Sequence, residues 1–366
     1  MVLTLEKKQV ERNQKPVRLD FSGRKKQLSR SQIEAKLFLK RIVNQNEDIG
    51  AASTLTTGSP GSAKTAVDCY ISQRLMNEHP NSKIFWRSAL NAPLQIFKLS
   101  NWHIYIQKGS GIRLFNRHSN RDVTDKMQKK NEVTFFSTFD ELYDISKPAV
   151  CNGVFFRDLY LPGIFKDQGN LQWFRWLRYL LNREPWNYVF LDEYQEACKP
   201  NSGGPMFWEI AYHADDVSTA RKACIGVHVN CHQLNEVDFR PRDCFMLMNQ
   251  MYGSKHVRSS PVSRQAIASL RRPTHEHGAE GWLSEGGNYG LVTFRDVYIL
   301  PPGKNIVARI VESYEDVKKC RYCNRKYVAD YRSQVYCSER CSIQGRKLLK
   351  PSKSRQKPSI QGENSI

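Results

Sequence analysis

Apolar and mixed-polarity stretches alternate through the middle of the chain and fade toward both ends. Short apolar runs read as strands, and apolar residues recurring every three or four positions read as helices. Residues 51–56 predict a strand that leads into a Gly-rich segment, and 64–77 predict a helix directly after it. Residues 83–87 predict a second strand beyond the Pro80-Asn81 turn. The stretch 101–135 reads as a β-rich insertion, with strands at 103–107 and 112–115 joined by a hairpin turn at Gly109-Ser110-Gly111. Further strands are expected at 153–158, 188–191 and 224–229, with helices at 171–182 and 207–214 between them. Such alternation predicts an α/β fold with a mainly parallel sheet.

The flanks are less regular. Ile33, Leu37, Phe38 and Ile42 fall at helical spacing, with Ser31 and Glu34 in capping-box positions, so 31–43 predicts an amphipathic helix. Residues 254–290, rich in Ser, Gly, His and Arg, read as a loop or linker; a last strand pair is expected at 290–300 before Pro301-Pro302-Gly303. His275 and His277 read as loop residues, and Trp173 and Trp176 as core. The resulting division is a basic arm and helix over 1–47, a core over 48–253, a linker with terminal strands over 254–317, a cysteine module over 318–345 and a disordered basic tail over 346–366.

Charge sharpens this division. The net charge of +20 is concentrated at the ends. Residues 1–41 carry 12 Lys/Arg against 4 Asp/Glu, and 318–366 carry 13 against 3, leaving a net of only +2 on the 276 residues between. Basic ends on a near-neutral body point to a polyanionic partner, nucleic acid before anionic lipid. No apolar run reaches the length of a membrane span and the N-terminus lacks an apolar leader, so an intracellular location is expected.

The Gly-rich segment is Gly58-Ser59-Pro60-Gly61-Ser62-Ala63-Lys64-Thr65. A strand, a loop that exposes backbone N–H groups, and a helix opening with Lys-Thr together make a phosphate cradle. Lys64 can reach the outer phosphates and Thr65 can ligate Mg²⁺. Ala63 stands where Gly is usual; as a helix-opening residue it is expected to be sterically mild. A second motif lies downstream, where the apolar run Tyr188-Val189-Phe190-Leu191 ends in Asp192-Glu193. A buried strand of this kind delivers Asp192 to the Mg²⁺ ion and Glu193 to the attacking water. The strand after it ends at Asn230, followed by Cys231-His232-Gln233. Asn230, His232 and Gln233 are therefore candidates for sensing the outermost phosphate. Arg240 and Arg242 are candidate arginine fingers acting across a subunit boundary, or partners of Asp238 and Asp243.

The order of these motifs, ending in His-Gln…Val-Asp-x-Arg-x-Arg, resembles the FtsK/HerA class of ATPases, which includes archaeal and viral DNA-packaging ATPases and Zot-type phage assembly proteins. The resemblance covers residues 50–250. It implies a RecA-like P-loop core, a homo-oligomeric ring, and ATP-driven movement of DNA, expected to be duplex. A viral or plasmid origin, with a viral assembly partner, suits such a compact motor. Competing readings are a Zot-like assembly ATPase, a terminase-type ATPase subunit, and a zinc protein with an inactive loop. A terminase would need a nuclease site, for which Glu276, Glu280, Glu285, Asp296, Glu312, Glu315 and Asp316 are the available acids.

Four of the ten cysteines form Cys320-x2-Cys323-x13-Cys337-x3-Cys341. Two close pairs of soft ligands fit one tetrahedral Zn²⁺, closed to solvent and structural. Nine Lys/Arg residues between 318 and 347 surround it, with Tyr322, Tyr327 and Tyr331 interleaved, which suits nucleic acid or a protein partner.

Overall fold

Strands without a polar face need cover on both sides, which one parallel sheet between helices supplies. The computed structural model describes residues 32–34, 40, 42–45, 48, 50–157, 170–197, 205–232, 244–248, 269–274, 277–285, 288–294, 304–311, 317–328 and 335–349. The early strands are β1 (Gln32–Glu34), β2 (Thr54–Thr57), β3 (Ile84–Arg87), β4 (Trp102–Gln107), β5 (Ile112–Asn116), β6 (Arg121–Asp122), β7 (Val133–Phe136) and β8 (Cys151–Phe155). The later ones are β9 (Tyr188–Leu191), β10 (Gly226–Cys231), β11 (Cys244–Met248), β12 (Ala279–Glu285), β13 (Asn288–Phe294), β14 (Ile306–Ile310), β15 (Val317–Lys319) and β16 (Lys326–Val328). The helices used below are α1 (Lys64–Glu78), α2 (Thr124–Lys129), α3 (Phe139–Ile145), α4 (Asn170–Leu180), α5 (Tyr194–Ala197), α6 (Pro205–Ala220) and α7 (Glu339–Leu349).

Among the described residues, eleven strands form the central sheet, in the order β1-β13-β12-β11-β2-β10-β9-β3-β8-β4-β7. Only β12 runs against the others. The mainly parallel α/β fold is therefore as the sequence predicts. Its two faces follow from the two-residue period of each strand. Ile84 and Trp86 of β3 with Tyr188 and Phe190 of β9 face the core that receives Val67, Ile71 and Leu75 of α1. Phe85, Val189 and Leu191 face the opposite core, where α4 inserts Trp173, Phe174 and Trp176. Trp86 stacks on Phe190 at 5.0 Å, and Trp176 meets Phe85 edge-on at the same distance. Trp173 and Trp176 are core residues, as expected.

Four sequence expectations are corrected. Gln32–Glu34 is a strand, not the start of a helix: its backbone pairs in parallel with Leu291–Thr293 of β13, and an open sheet edge outweighs a local helical period. Helical backbone in this stretch is found at Lys40, Ile42 and Val43, and both apolar residues are buried. Residues 279–285, expected in a linker, form β12, whose partner β13 begins at Asn288. The β-rich region at 101–135 is not an insertion: β4 and β7 extend the central sheet beside β8. Gly109-Ser110-Gly111 therefore makes no hairpin, because β4 and β5 belong to different sheets. His277 sits in a turn, and His275 lies outside the described residues.

The second sheet has the order β14-β5-β6-β16-β15. It ties the chain's end to its middle, since β14 pairs with β5 and Tyr327 of β16 pairs with Arg121 of β6. No described helix is long and apolar enough to cross a membrane.

Two buried histidines give the fold a pH dependence. His213 stacks on Phe174 at 4.1 Å, and burial, with Arg178 and Arg87 nearby, depresses its pKa to about 3. Burial likewise takes His228 to about 3 against Phe190, with Nδ1 at 2.9 Å from Thr54 Oγ1. Both are neutral in the fold, whereas an unfolded chain protonates them below about pH 6.5. Their contribution to stability is thus full above that pH and falls as pH drops toward about 3. The slope is about 1.4 kcal/mol per His per pH unit. Among the described residues His213 has no hydrogen-bond partner to lose, so His213→Phe is expected to lessen the loss of urea midpoint between pH 7 and pH 5. An undiminished loss would show that His213 contributes nothing to it.

Candidate functional site

Parallel strands present the same chemical end on the same edge, and β2, β10 and β9 lie side by side in that order. Their C-terminal tips carry the Gly-rich loop, Asn230 and Asp192-Glu193 respectively. The motifs read separately in the sequence therefore converge on one edge.

The loop is tight at its entry. A Cβ on Gly58 would lie 2.4 Å from Ser62 Oγ and 2.8 Å from Met248 Cβ, so only Gly fits there. Gly61 turns the chain at φ 80°. The helix-preceding residue Ala63 is not mild, as the sequence suggested. It sits at φ 70°, ψ 20°, a left-handed conformation that costs a side chain about 1–2 kcal/mol. Behind it Lys64 opens α1 and turns its buried ammonium back under the loop. It donates to the carbonyl oxygens of Gly58 at 2.8 Å and Ser59 at 3.4 Å. It also lies 3.0 Å from His232 Nδ1. Burial lowers its pKa, against the pull of Glu193 and Asp192.

The opposing wall comes from β9. Thr65 donates from Oγ1 to Asp192 Oδ1 at 3.1 Å, so the hydroxyl and carboxylate predicted to ligate Mg²⁺ already face each other. This hard-oxygen pair beside a cationic loop fits Mg²⁺. Burial raises the Asp192 pKa, and neighbouring Glu193 adds to it. Arg87 at the tip of β3 clamps this strand end: its Nη1 donates to Asp192 O at 3.0 Å, and Asp192 N–H returns a bond to Arg87 O at 3.1 Å.

Glu193 adopts a left-handed backbone at φ 51°. Its N–H is shared by Asp192 Oδ1 and Asn230 Oδ1, each at 3.1 Å. Its carboxylate takes hydrogen bonds from Gln195 and from His232, whose Nε2 lies 3.0 Å away. Burial would raise its pKa, but the His232 hydrogen bond and charge, with Gln195, bring it below the ordinary range. His232 in turn is raised by the same bond. One imidazole thus links the loop lysine, at Nδ1, to the strand-tip acid, at Nε2. An ionised Glu193 held near an incoming phosphate can accept a proton from water.

Asn230 completes the edge, with Nδ2 donating to Asp68 Oδ2 at 2.7 Å. Gln233, Arg240 and Arg242 lie outside the described residues. Sequence reading missed Asp68 and Arg87. The signal for Asp68 was an acid one turn beyond Lys64, between Val67 and Cys69 in a helix face that is otherwise core. Arg87 gave a similar signal, a cation ending an apolar strand. Of the acids considered for a nuclease site, Glu280 is engaged by Arg271, and Glu276, Asp296, Glu312, Glu315 and Asp316 lie outside the described residues.

The four C-terminal cysteines converge, with all Sγ atoms within 4.8 Å of one another. Cys337 Sγ is 3.6 Å from both Cys323 Sγ and Cys341 Sγ. A tetrahedron with Zn–S bonds of about 2.3 Å has edges of about 3.8 Å, so the donor set fits zinc. Burial opposes ionisation of Cys320, but backbone N–H donors from Cys323, Cys337 and Tyr322 outweigh it and bring its pKa to about 6. A thiolate is thus available for the metal. The module is not a free appendage, because β16 docks on β6.

No protein-family model and no curated protein matches the chain. Its structure is similar to the genome packaging NTPase B204 from Sulfolobus turreted icosahedral virus 2 in complex with AMP, at 11% identity and a TM-score of 0.41. That match covers 68% of this chain and 98% of the other. It is also similar to VirB4 of Thermoanaerobacter pseudethanolicus, at 14% identity and a TM-score of 0.41, over 68% and 91% of the two chains. The N-terminal domain of zonular occludens toxin from Neisseria meningitidis matches at 13% identity and a TM-score of 0.31, over 69% of this chain and all of the other.

Proposed function

We propose that this chain is a Mg²⁺-dependent P-loop ATPase that couples hydrolysis to the movement of DNA, as in translocation or genome packaging. The observation that carries the reading is the convergence of Lys64, Thr65, Asp192, Glu193 and Asn230 on one sheet edge. In this reading, residues 58–65 wrap the phosphates with backbone N–H groups at the N-terminus of α1. Lys64 leaves its own loop carbonyls for the outer phosphates. Thr65 and Asp192 would hold Mg²⁺, whose role is to neutralise phosphate charge. Glu193 orients and deprotonates the attacking water, and Asn230 reports on the outermost phosphate. Arg240 or Arg242 would complete the site of a neighbouring subunit in a ring.

The DNA partner is supported by charge. Both basic ends, and the exposed Lys319, Arg321, Arg325, Lys326 and Arg340 around the cysteine cluster, suit a phosphate backbone. Exposed Tyr322 adds an aromatic surface on the same module. Zinc would staple that module, which is too small to hold itself by a core alone.

Two experiments test this reading. ATP turnover is measured with and without duplex DNA for wild type, Lys64→Ala and Glu193→Gln. Both variants are expected to lose about 100-fold or more in kcat, Glu193→Gln while still binding nucleotide, and DNA is expected to stimulate wild type. Wild-type protein without turnover in either condition would overturn the motor. Second, metal analysis is expected to find one zinc per chain, and Cys337→Ser to abolish it. Chelation is expected to expose the 317–349 region to protease while leaving the central sheet's unfolding transition in place. Equal protease resistance with and without chelator would rule out a structural metal.

A further inference from the structure

Asp68 is a fully buried acid on a helix face surrounded by core residues, and the roles proposed above do not use it. Its Oδ2 accepts from Asn230, while Oδ1 has no hydrogen-bond partner among the described residues. Burial raises its pKa to about 7. A half-satisfied buried carboxyl costs stability, and an apolar residue of similar shape would serve packing better. Its place therefore calls for a reason other than packing.

That reason lies in the shape of an amide. The two ends of Asn230 are nearly identical sterically, so only their neighbours decide which end faces which way. Asp68 Oδ2 is an acceptor whether or not the acid is ionised, provided any proton sits on Oδ1. It therefore draws Nδ2 toward itself. Oδ1 is then left to accept from Glu193 N–H at 3.1 Å. With the amide reversed, an N–H group would confront the N–H of Glu193, and a backbone already at φ 51° would lose an acceptor. Asp68 also stands one helical turn beyond Lys64 on α1, so the same rigid helix carries both the phosphate-binding lysine and this anchor.

We infer that Asp68 is a positioning residue, which orients the Asn230 amide and thereby fixes the backbone of Glu193 to the phosphate-loop helix. The inference rests on the ATPase reading for its kinetic consequence but not for its structural one. It links nucleotide contact at α1 to the geometry of the water-activating acid through two side chains, Asp68 and Asn230. The Asn230 side chain also hydrogen-bonds the Asp192 carboxyl, so the same amide is shared between Asp68 on α1 and the acid at the tip of β9.

The test compares Asp68→Leu, Asp68→Asn, Asn230→Ala and the Asp68→Leu/Asn230→Ala double variant. Asp68→Leu is expected to unfold at the same temperature as wild type or higher, to bind ADP within about threefold, and to lose about tenfold or more in kcat at little-changed KM. Asp68→Asn keeps one acceptor and is expected to fall between the two. The double variant is expected to be no slower than Asn230→Ala alone, since both act through one path. Wild-type kcat in Asp68→Leu, or multiplicative losses in the double variant, would overturn the proposal. Hydrogen exchange at the Glu193 amide gives a readout independent of turnover. Protection is expected to drop in Asp68→Leu, and in Asp68→Asn to a lesser degree should the Leu variant not fold. Unchanged protection sinks the positioning role even if wild type hydrolyses ATP. Lost protection in a chain without turnover sinks the motor reading alone.

Discussion

Lys64 is an ammonium buried beneath its own loop, and the polar groups of the sheet edge are arranged around that charge. Desolvating a cation is costly unless carbonyls and carboxylates replace the lost water. Gly58 and Ser59 supply carbonyls, while Asp192 and Glu193 supply opposite charge from a strand two places away in the sheet. The loop's own carbonyls thus satisfy the buried ammonium. The arrangement also accounts for two strained residues, since Ala63 turns the chain into α1 and Glu193 turns it out of β9, both at positive φ.

The intervening strand β10 matters as much as the two motif strands. By separating β2 from β9 it opens a gap in which Asn230 and His232 can reach both walls. His232 touches Lys64 with one nitrogen and Glu193 with the other, so a single imidazole bridges the two walls of the gap. Among the described residues, the groups whose charge acts on Lys64 in this gap are Glu193, Asp192, Cys231 and Asp68, all in the body of the chain. The near-neutral body and the cationic ends are consequently separable in chemistry, although the second sheet joins the cysteine module to the body through β6 and β16.

Much of the site was legible because its parts are short and contiguous. A Gly-rich loop followed by Lys-Thr, and an apolar run ending in Asp-Glu, each carry their chemistry within eight residues. The cysteine spacing did the same for the four-cysteine cluster. Asp68 was not legible, because its meaning depends on Asn230, 162 positions away. Arg87 depends likewise on Asp192, 105 positions away. Nor could the strand at Gln32–Glu34 be read, since its apolar spacing satisfies a helix equally well and only the vacant edge of β13 decides between them.

The sequence by itself determined the strand–helix alternation, the Gly-rich loop, the acidic strand tip, the four-cysteine set and the charged ends. These rest on local period, local backbone freedom and ligand spacing, all properties of neighbouring residues. The tertiary structure alone decided which strands are adjacent, that Ala63 is strained rather than mild, and that β4 and β7 extend the central sheet. It also decided that an acid buried in α1 should face Asn230. Those outcomes depend on pairing partners distant in the chain, and the Gly-rich loop gained its full setting only when those partners closed around Lys64.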